Sequence, residues 1–513
     1  MKFTTIATSL LSSLLLLENA NVNAFSLANN SPLLRTSLTS TRTSLTTATK
    51  LYAAKEKGTI QILMSDTGGG HRASANALRD AFDELYPGQI EVDIVDIFTD
   101  YGPFFPINAF VPIYKIMAEY PILWEITYKS GSTPFGLWFN ELVLEFFCFN
   151  AFKECVARPS SSTPTRADMV ISVHPLTQDI PLKILNYLDT NGKSRTKGRT
   201  TPFATVVTDL GGAHPTWFNP GVDKCFIPSD ALFRAARERL VGEEQLVQYG
   251  LPIRRGFWAD RGVGGGAVGV GGAGGSGNFF EDLFAGFAGD TKPKTSPKAK
   301  LQGQLGLQEN LPTVLIVGGG DGMGGIIEQA KSMGEKLASK GDEDGNGYQM
   351  VVVCGNNQKA QSTLKANPWG DNVNVVVNGF VDNMDEWMRS SDVIVTKAGP
   401  GTIAEASICG LPCMLSSYLP GQEEGNVPFV EEAGFGTYSG DPKKIAETVS
   451  TWLSSPEMLM EMKEAALEAA RPTATVDIAK DLAKMLFDYK KNQELVAKSS
   501  ASASVKAPEL VAQ

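Results

Sequence analysis

Apolar positions along the chain alternate between short continuous runs and stripes at helical spacing, with glycine-rich turns between them. Residues 59–64 form an apolar run that ends in Ser65-Asp66-Thr67-Gly68-Gly69-Gly70-His71. Beyond it Ala77, Leu78, Ala81, Phe82 and Leu85 recur on one helical face. Further strands are predicted at 90–97, 169–173, 203–208 and 224–227, separated by helical stretches, which is the order that parallel α/β layers require. The first domain is therefore placed at 58–257. A second unit opens with a strand at 313–317, a turn Gly318-Gly319-Gly320-Asp321-Gly322-Met323-Gly324 and a helix, and strands recur at 349–354, 373–377, 393–396 and 412–415. This gives a second α/β domain at 311–455 and C-terminal helices at 456–490. Residues 258–310, glycine-rich and then rich in Lys, Pro, Ser and Thr, are expected to be a disordered insertion and linker, because they cannot bury enough apolar surface to offset chain entropy. The polar tail 491–513 is expected to be disordered too.

The first residues have the layout of an address. Lys2 precedes an apolar run and Ala24-Phe25 follows small residues, as in a signal peptide over 1–24. Residues 25–57 are rich in Ser and Thr, carry Arg35, Arg42 and Lys50, and contain no acidic residue before Glu56, which is transit-peptide chemistry. The pair resembles the bipartite presequence of algae with secondary plastids, implying a peripheral protein of the plastid envelope or thylakoid membrane. A secreted protein with a Ser/Thr stalk is the alternative. A net charge of -10 on 513 residues excludes a nucleic-acid binder that works by neutralising phosphates. Six cysteines without zinc or disulfide-scaffold spacing read as buried thiols. Cys409 and Cys413 could pair on a metal only on a helix that Gly410 and Pro412 break, and no metal is expected.

The candidate chemistry lies in the turns. A glycine turn between a strand and a helix lets a diphosphate approach the backbone and meet the unpaired N–H groups of the helix. Two such units make a nucleotide-binding cleft between domains the natural reading, though Gly318 to Gly324 alone could be a tight turn. No Lys-Ser/Thr ending follows, which disfavours P-loop phosphoryl transfer. Lys397-Ala398-Gly399-Pro400-Gly401-Thr402 forms a third strand-end turn, and Glu405 one helical turn later can accept from a ribose diol or simply favour the helix dipole. Gln422, Glu423, Gly425 and Asn426 put amide and carboxylate groups on a loop where sugar hydroxyls could bind.

Of the three histidines, His71 closes the first glycine turn at a helix start and is the candidate general base, with phosphate donor or cap as its other readings. His174 reads as structural or cleft-lining, and Asp66 and Asp209 are alternative bases. Residues 101–152 are the most aromatic part of the chain and are broken by prolines, so they suit contact with a lipid headgroup region or, in their later half, a core helix.

The runs Leu63 to Ser74, His214-Pro215-Thr216-Trp217-Phe218, Tyr249 to Arg254, Lys397 to Glu405 and Pro420 to Asn426 resemble the monogalactosyldiacylglycerol synthase family. The resemblance implies an α/β GT-B fold of two Rossmann-like domains, related to the peptidoglycan N-acetylglucosaminyltransferase. It implies inverting transfer of galactose from UDP-galactose to diacylglycerol without a cofactor, with activation by anionic lipid such as phosphatidylglycerol. It puts Gly319, Gly320, Asp321 and Gly322 on the diphosphate, Gly379, Phe380 and Val381 on uracil, Lys397, Gly399, Pro400, Gly401 and Thr402 beside the phosphates, and Glu405 on the ribose. Gln422, Glu423, Gly425 and Asn426 would surround the galactose, and Pro106, His214, Trp217 and Arg254 would serve the lipid side, with UDP an equal alternative for Arg254. Two departures stand out, Asn356 where relatives carry Arg and Gly211-Gly212-Ala213 ahead of His214. A related transferase using UDP-glucose or UDP-N-acetylglucosamine, or a non-catalytic lipid-binding relative, are the competing readings.

Overall fold

Strand β1 (Gly58–Met64) is buried along its whole length, as a strand covered by helices on both faces must be. The computed structural model describes residues 57–118, 120–259, 296–318, 325–345 and 347–504. The expected presequence, most of the glycine-rich segment and Gly319, Gly320, Asp321 and Gly322 lie outside them. The described residues belong to one compact unit, Lys55–Gln513, with two sheets.

In the first lobe β1 is joined by β2 (Ile90–Asp96), β3 (Met169–Ser172), β4 (Phe203–Val206), β5 (Lys224–Ile227) and β6 (Leu246–Gln248), all parallel, in the order β2-β1-β3-β4-β5-β6. In the second, β7 (Thr313–Val317), β8 (Tyr348–Val353), β9 (Val373–Asn378), β10 (Val393–Lys397), β11 (Cys413–Ser417) and β12 (Gly436–Tyr438) run parallel in the order β12-β11-β10-β7-β8-β9. These are two doubly wound Rossmann-like sheets, the GT-B architecture. The three-residue edge strands β6 and β12 carry too little apolar pattern to be seen in the sequence. In each sheet the winding reverses at one place, between β1 and β3 and between β7 and β10. Ligands of open parallel sheets bind outside the carboxyl ends of the strands at that reversal.

Helix α1 (Gly70–Leu85) buries His71, Ala75, Ala77, Leu78, Ala81 and Phe82, so its apolar stripe faces β1 and the core. The aromatic region folds as α2 (Phe110–Ala118), α3 (Pro121–Gly131) and α4 (Pro134–Ala157). Pro121 and Pro134 open helices at their first turn, where no N–H is required, while Pro103 and Pro106 stay in the preceding loop. α4 sinks Leu144, Cys148, Phe149, Phe152, Cys155 and Val156 into the first lobe. Ile116, Ile122, Leu123, Ile126, Phe135, Trp138, Phe139, Leu142, Phe146 and Phe147 stay exposed, Phe146 by 79%.

Parts of two stretches expected to be disordered are helical. Helix α5 (Pro297–Gln304) is capped by Ser296, whose Oγ accepts from Ala299 N at 3.1 Å. There the buried Gln302 Nε2 donates to Leu311 O, Thr313 Oγ1 and Ser390 O, satisfying strand-end groups of the second sheet. At the C-terminus, α8 (Ala474–Ser504) runs unbroken past residue 491, because extending a nucleated helix through alanine, lysine and glutamate costs little. This helix returns to the first lobe and packs on α1 and β1. A Cβ on Gly58 would stand 2.6 Å from Leu486 Cδ2.

No helix among the described residues is long and apolar enough to cross a membrane. All six cysteines are free thiols. Because Leu486 is fully buried between α8 and β1, Leu486→Ala should destabilise the first lobe by about 2–5 kcal/mol, read as a lower urea midpoint by tryptophan fluorescence.

Candidate active site

The first sheet's reversal brings two histidines together. His71 sits in the first turn of α1, just past the αL glycine Gly69, and His174 two residues past β3. Their ring centroids are 4.6 Å apart. His71 Nδ1 lies 2.8 Å from Val173 O and 3.0 Å from Thr208 Oγ1. A carbonyl can only accept, so Nδ1 carries the proton and Nε2 keeps the lone pair. Burial pushes the imidazole down to about 4, while the Val173 carbonyl and Asp66 pull upward. His71 is thus a neutral imidazole whose basic nitrogen makes no bond among the described residues. His174 is saturated: Nδ1 accepts from Leu176 N at 3.2 Å and Nε2 donates to Thr67 Oγ1 at 3.1 Å. Asp66 is gripped by Arg72, with Nε at 2.7 Å from Oδ1, and so lacks the freedom of a base.

Asp209 is fully inside. Trp217 Nε1 donates to its Oδ2 at 2.6 Å, and burial pushes the carboxyl up to about 7, the Trp217 bond opposing and Glu423 adding to the rise. Trp217, expected on the lipid side, is 0% exposed. Its indole supports Asp209 and lies 6.0 Å from the His71 ring. Arg254, expected to meet anionic lipid or UDP, reaches across to the second lobe and clasps Glu405, with Nε 2.7 Å from Oε1 and a second bond to Oε2. That brings it to the ribose candidate. His214 is held under α3, its ring 4.9 Å from that of Tyr128, and burial lowers it to about 4. Pro106 is exposed beside Phe104 and Phe105.

On the second lobe the turn after β10 opens helix α6 (Pro400–Ile408), which carries Gly401, Thr402 and the buried Glu405. Lys397 pairs with Glu423, whose Oε2 accepts from Leu419 N at 3.0 Å. Asn426, opening α7 (Asn426–Glu432), donates Nδ2 to Ala398 O at 2.8 Å and accepts from Gly211 N at 2.7 Å. Gly399 lies beside Lys397 and Glu423, since a Cβ there would be 3.8 Å from Lys397 Nζ. One cluster thus joins Lys397, Gly399, Glu423, Gly425 and Asn426 to Gly211 and Asp209 of the first lobe. Gly379, Phe380 and Val381 follow β9, with Phe380 exposed and Val381 packed on the core. Three buried polar atoms without a hydrogen-bond partner sit at carboxyl ends of strands: Ser65 Oγ after β1, Asn378 Nδ2 in β9 and Thr396 Oγ1 in β10. Groups of this kind are satisfied by ordered water or by a polar ligand, as are Gln61 Oε1 and Trp124 Nε1 elsewhere among the described residues.

The profile of the monogalactosyldiacylglycerol (MGDG) synthase family matches residues 71–253, and that of the glycosyltransferase family 28 C-terminal domain matches 313–485. Over 437 residues the chain is 38% identical to the probable monogalactosyldiacylglycerol synthase 2, chloroplastic, of Oryza sativa subsp. japonica, covering 85% of this chain and 82% of that protein. The chain belongs to the monogalactosyldiacylglycerol synthase family. It is also 37% identical over 428 residues to monogalactosyldiacylglycerol synthase 1, chloroplastic, of Arabidopsis thaliana, covering 82% of this chain and 70% of that one. Among solved structures, MurG of Acinetobacter baumannii superposes with a TM-score of 0.47 at 14% identity, over 83% of this chain and 99% of that one.

In this family member the sequence pattern missed Tyr114 and Tyr128, which had been read only as part of an aromatic stretch. Tyr114 O–H donates to Gln422 Oε1 at 3.3 Å, and Tyr128 packs on Gly421. The available signal was a pair of phenols in helices where Phe or Leu would serve packing alone. A cavity of about 490 Å³, lined by Ser229, Gly250, Ser407, Phe429 and Arg471 among others, adjoins this cluster through Gly211 and Gly425.

Gly211 explains its own identity, since a Cβ there would fall 1.9 Å from Gly425 O. Gly211→Ala must push the 419–426 loop away from the first lobe. With the fold intact by circular dichroism, kcat/KM for the donor should fall about tenfold or more, as misplacements on the order of 1 Å commonly do.

Proposed function

We propose that this chain transfers the galactosyl group of UDP-galactose to the free hydroxyl of diacylglycerol, forming monogalactosyldiacylglycerol with inversion at C1. The observation that carries the chemistry is His71, a neutral imidazole with its Nδ1 proton tied to Val173 O and its Nε2 lone pair unused. The acceptor oxygen attacks C1 as its proton passes to Nε2, the C1–O bond to UDP breaks, and the electron pair leaves with the diphosphate. Charge on departing UDP would be met by backbone amides at the switch-point turns, the α6 dipole and Lys397, which exchanges Glu423 for phosphate. Glu405, released from or shared with Arg254, would take the ribose, Gly379, Phe380 and Val381 the uracil, and Gln422, Glu423 and Asn426 the galactose. Gly319, Gly320, Asp321 and Gly322 would contact the diphosphate, as the family resemblance implies.

The exposed apolar side chains of α2, α3 and α4, together with Phe104, Phe105 and Pro106, support a peripheral seat on a lipid surface. Anionic lipid such as phosphatidylglycerol at that seat, and import to a plastid envelope or thylakoid membrane, complete the reading. The relatives named chloroplastic support the compartment.

Purified chain given labelled UDP-galactose and diacylglycerol vesicles should yield galactolipid, whereas exclusive use of UDP-glucose would overturn the donor assignment. His71→Ala should abolish turnover while UDP still binds; a rate near that of the unaltered enzyme would refute the base.

The acid limb of kcat/KM separates the two base candidates. His71 must be unprotonated to act and is lowered to about 4, so activity should hold from pH 8 to near 5 and fall only below. Asp209 is raised to about 7, so as the base it would lose roughly tenfold per unit below pH 7, and Asp209→Asn would then abolish turnover as His71→Ala is expected to do.

A further inference from the structure

Helices α2 and α3 have two faces that look at different things. Outward stand Ile116, Ile122, Leu123 and Ile126, all exposed. Inward stand Tyr114, Trp124 and Tyr128, whose rings form a chain: Tyr114 lies edge-on to Trp124 at 4.9 Å, Trp124 is 6.1 Å from Tyr128, and Tyr128 is 4.9 Å from His214. The chain ends on the 419–426 loop of the other lobe. A Cβ on Gly421 would stand 2.6 Å from Tyr128 Cδ1, and Gly421 has φ +77°, so the loop fits this surface only with glycine there. Beside it, the Tyr114 hydroxyl meets the Gln422 carboxamide oxygen.

A carboxamide has one accepting and one donating end, and these exchange by a half-turn about its last torsion. In Gln422 the accepting end is occupied by Tyr114 O–H, and Nε2 has no partner among the described residues. We propose that Tyr114 is a positioning residue for the donor sugar: its hydroxyl fixes the Gln422 amide with the NH2 group free to donate to a galactose hydroxyl. Burial, and then the Glu423 and Asp209 carboxylates, push the phenol above its ordinary range, so it remains a hydrogen donor at any working pH. The element that turns apolar groups outward thereby also sets the recognition of the sugar. This rests on the reading of Gln422 as a galactose contact.

The test uses the full chain on diacylglycerol vesicles, with Tyr114→Phe, Gln422→Ala and the double variant, plus calorimetric titration with UDP-galactose and with UDP. Tyr114→Phe keeps the ring stack and removes only the hydroxyl. It should raise KM for UDP-galactose roughly three- to tenfold with kcat within about twofold, and leave affinity for UDP and the diacylglycerol dependence unchanged. In the Gln422→Ala background the same change should have no further effect, because its partner is gone. Gln422→Glu, which keeps an acceptor for Tyr114 but lacks the NH2 donors, should weaken UDP-galactose and not UDP. An unchanged KM in Tyr114→Phe, or losses that add in the double variant, would overturn the proposal alone. Equal affinity of Gln422→Ala and the unaltered chain for UDP-galactose would overturn the sugar-site reading and the proposal with it. Absence of any galactosyl transfer by the unaltered chain would strike at the function, while the titrations would still decide the role of Tyr114.

Discussion

At Gly211 and Gly425 the two lobes come so close that a methyl group on either would overlap the other's backbone. The Gly211 N–H bond to Asn426 locks that approach, and Asn426 is tied in turn to Ala398 O at the end of β10. Through three residues the carboxyl end of one sheet is therefore fixed relative to the other. Each sheet has a winding reversal, and a reversal on its own is only a crevice. Held face to face they become a cleft with the neutral His71 imidazole on one wall and the Lys397–Glu423 pair on the other. Gly211, the first residue of Gly211-Gly212-Ala213, is what permits the contact.

The electrostatics of this cleft rest on charges that already have partners. Arg254 holds Glu405 and Lys397 holds Glu423, each pair joining a strand end or connector to a ligand-facing helix or loop. A cation without a partner in so buried a place would be costly. With carboxylates standing in, a nucleotide bound as proposed would exchange one anionic partner for another instead of desolvating a bare charge. The histidines follow the opposite logic. His71, His174 and His214 are all pushed toward the neutral form by burial, so imidazole adds no positive charge to a site that must release one proton and one diphosphate.

Much of the first lobe was legible because its signals are local. The strand, glycine turn and helix at 59–85 carry periodicity and turn chemistry together, and His71 stands out in a chain with three histidines. The turn after β10 and the 419–426 loop were legible for the same reason. What could not be read is what depends on partners far apart in sequence. Trp217 looks like a surface anchor until Asp209 is found beneath its indole nitrogen. Arg254 is ambiguous among phosphates and lipids until Glu405, 151 residues away, is seen to hold it. Gln302 sits in a stretch whose composition argues for disorder, and only the strand-end groups it satisfies explain the order. Helix α8 is readable as a helix, but not as a part of the first lobe.

That return of α8 has a consequence for how the protein comes into being. The first residue of β1 lies against Leu486, so the outer layer of the first lobe is supplied by α8, which is made only after the whole second sheet. A growing chain therefore cannot complete the first lobe as it emerges. Its last layer arrives late, which ties the folding of the two lobes into one step instead of two successive ones.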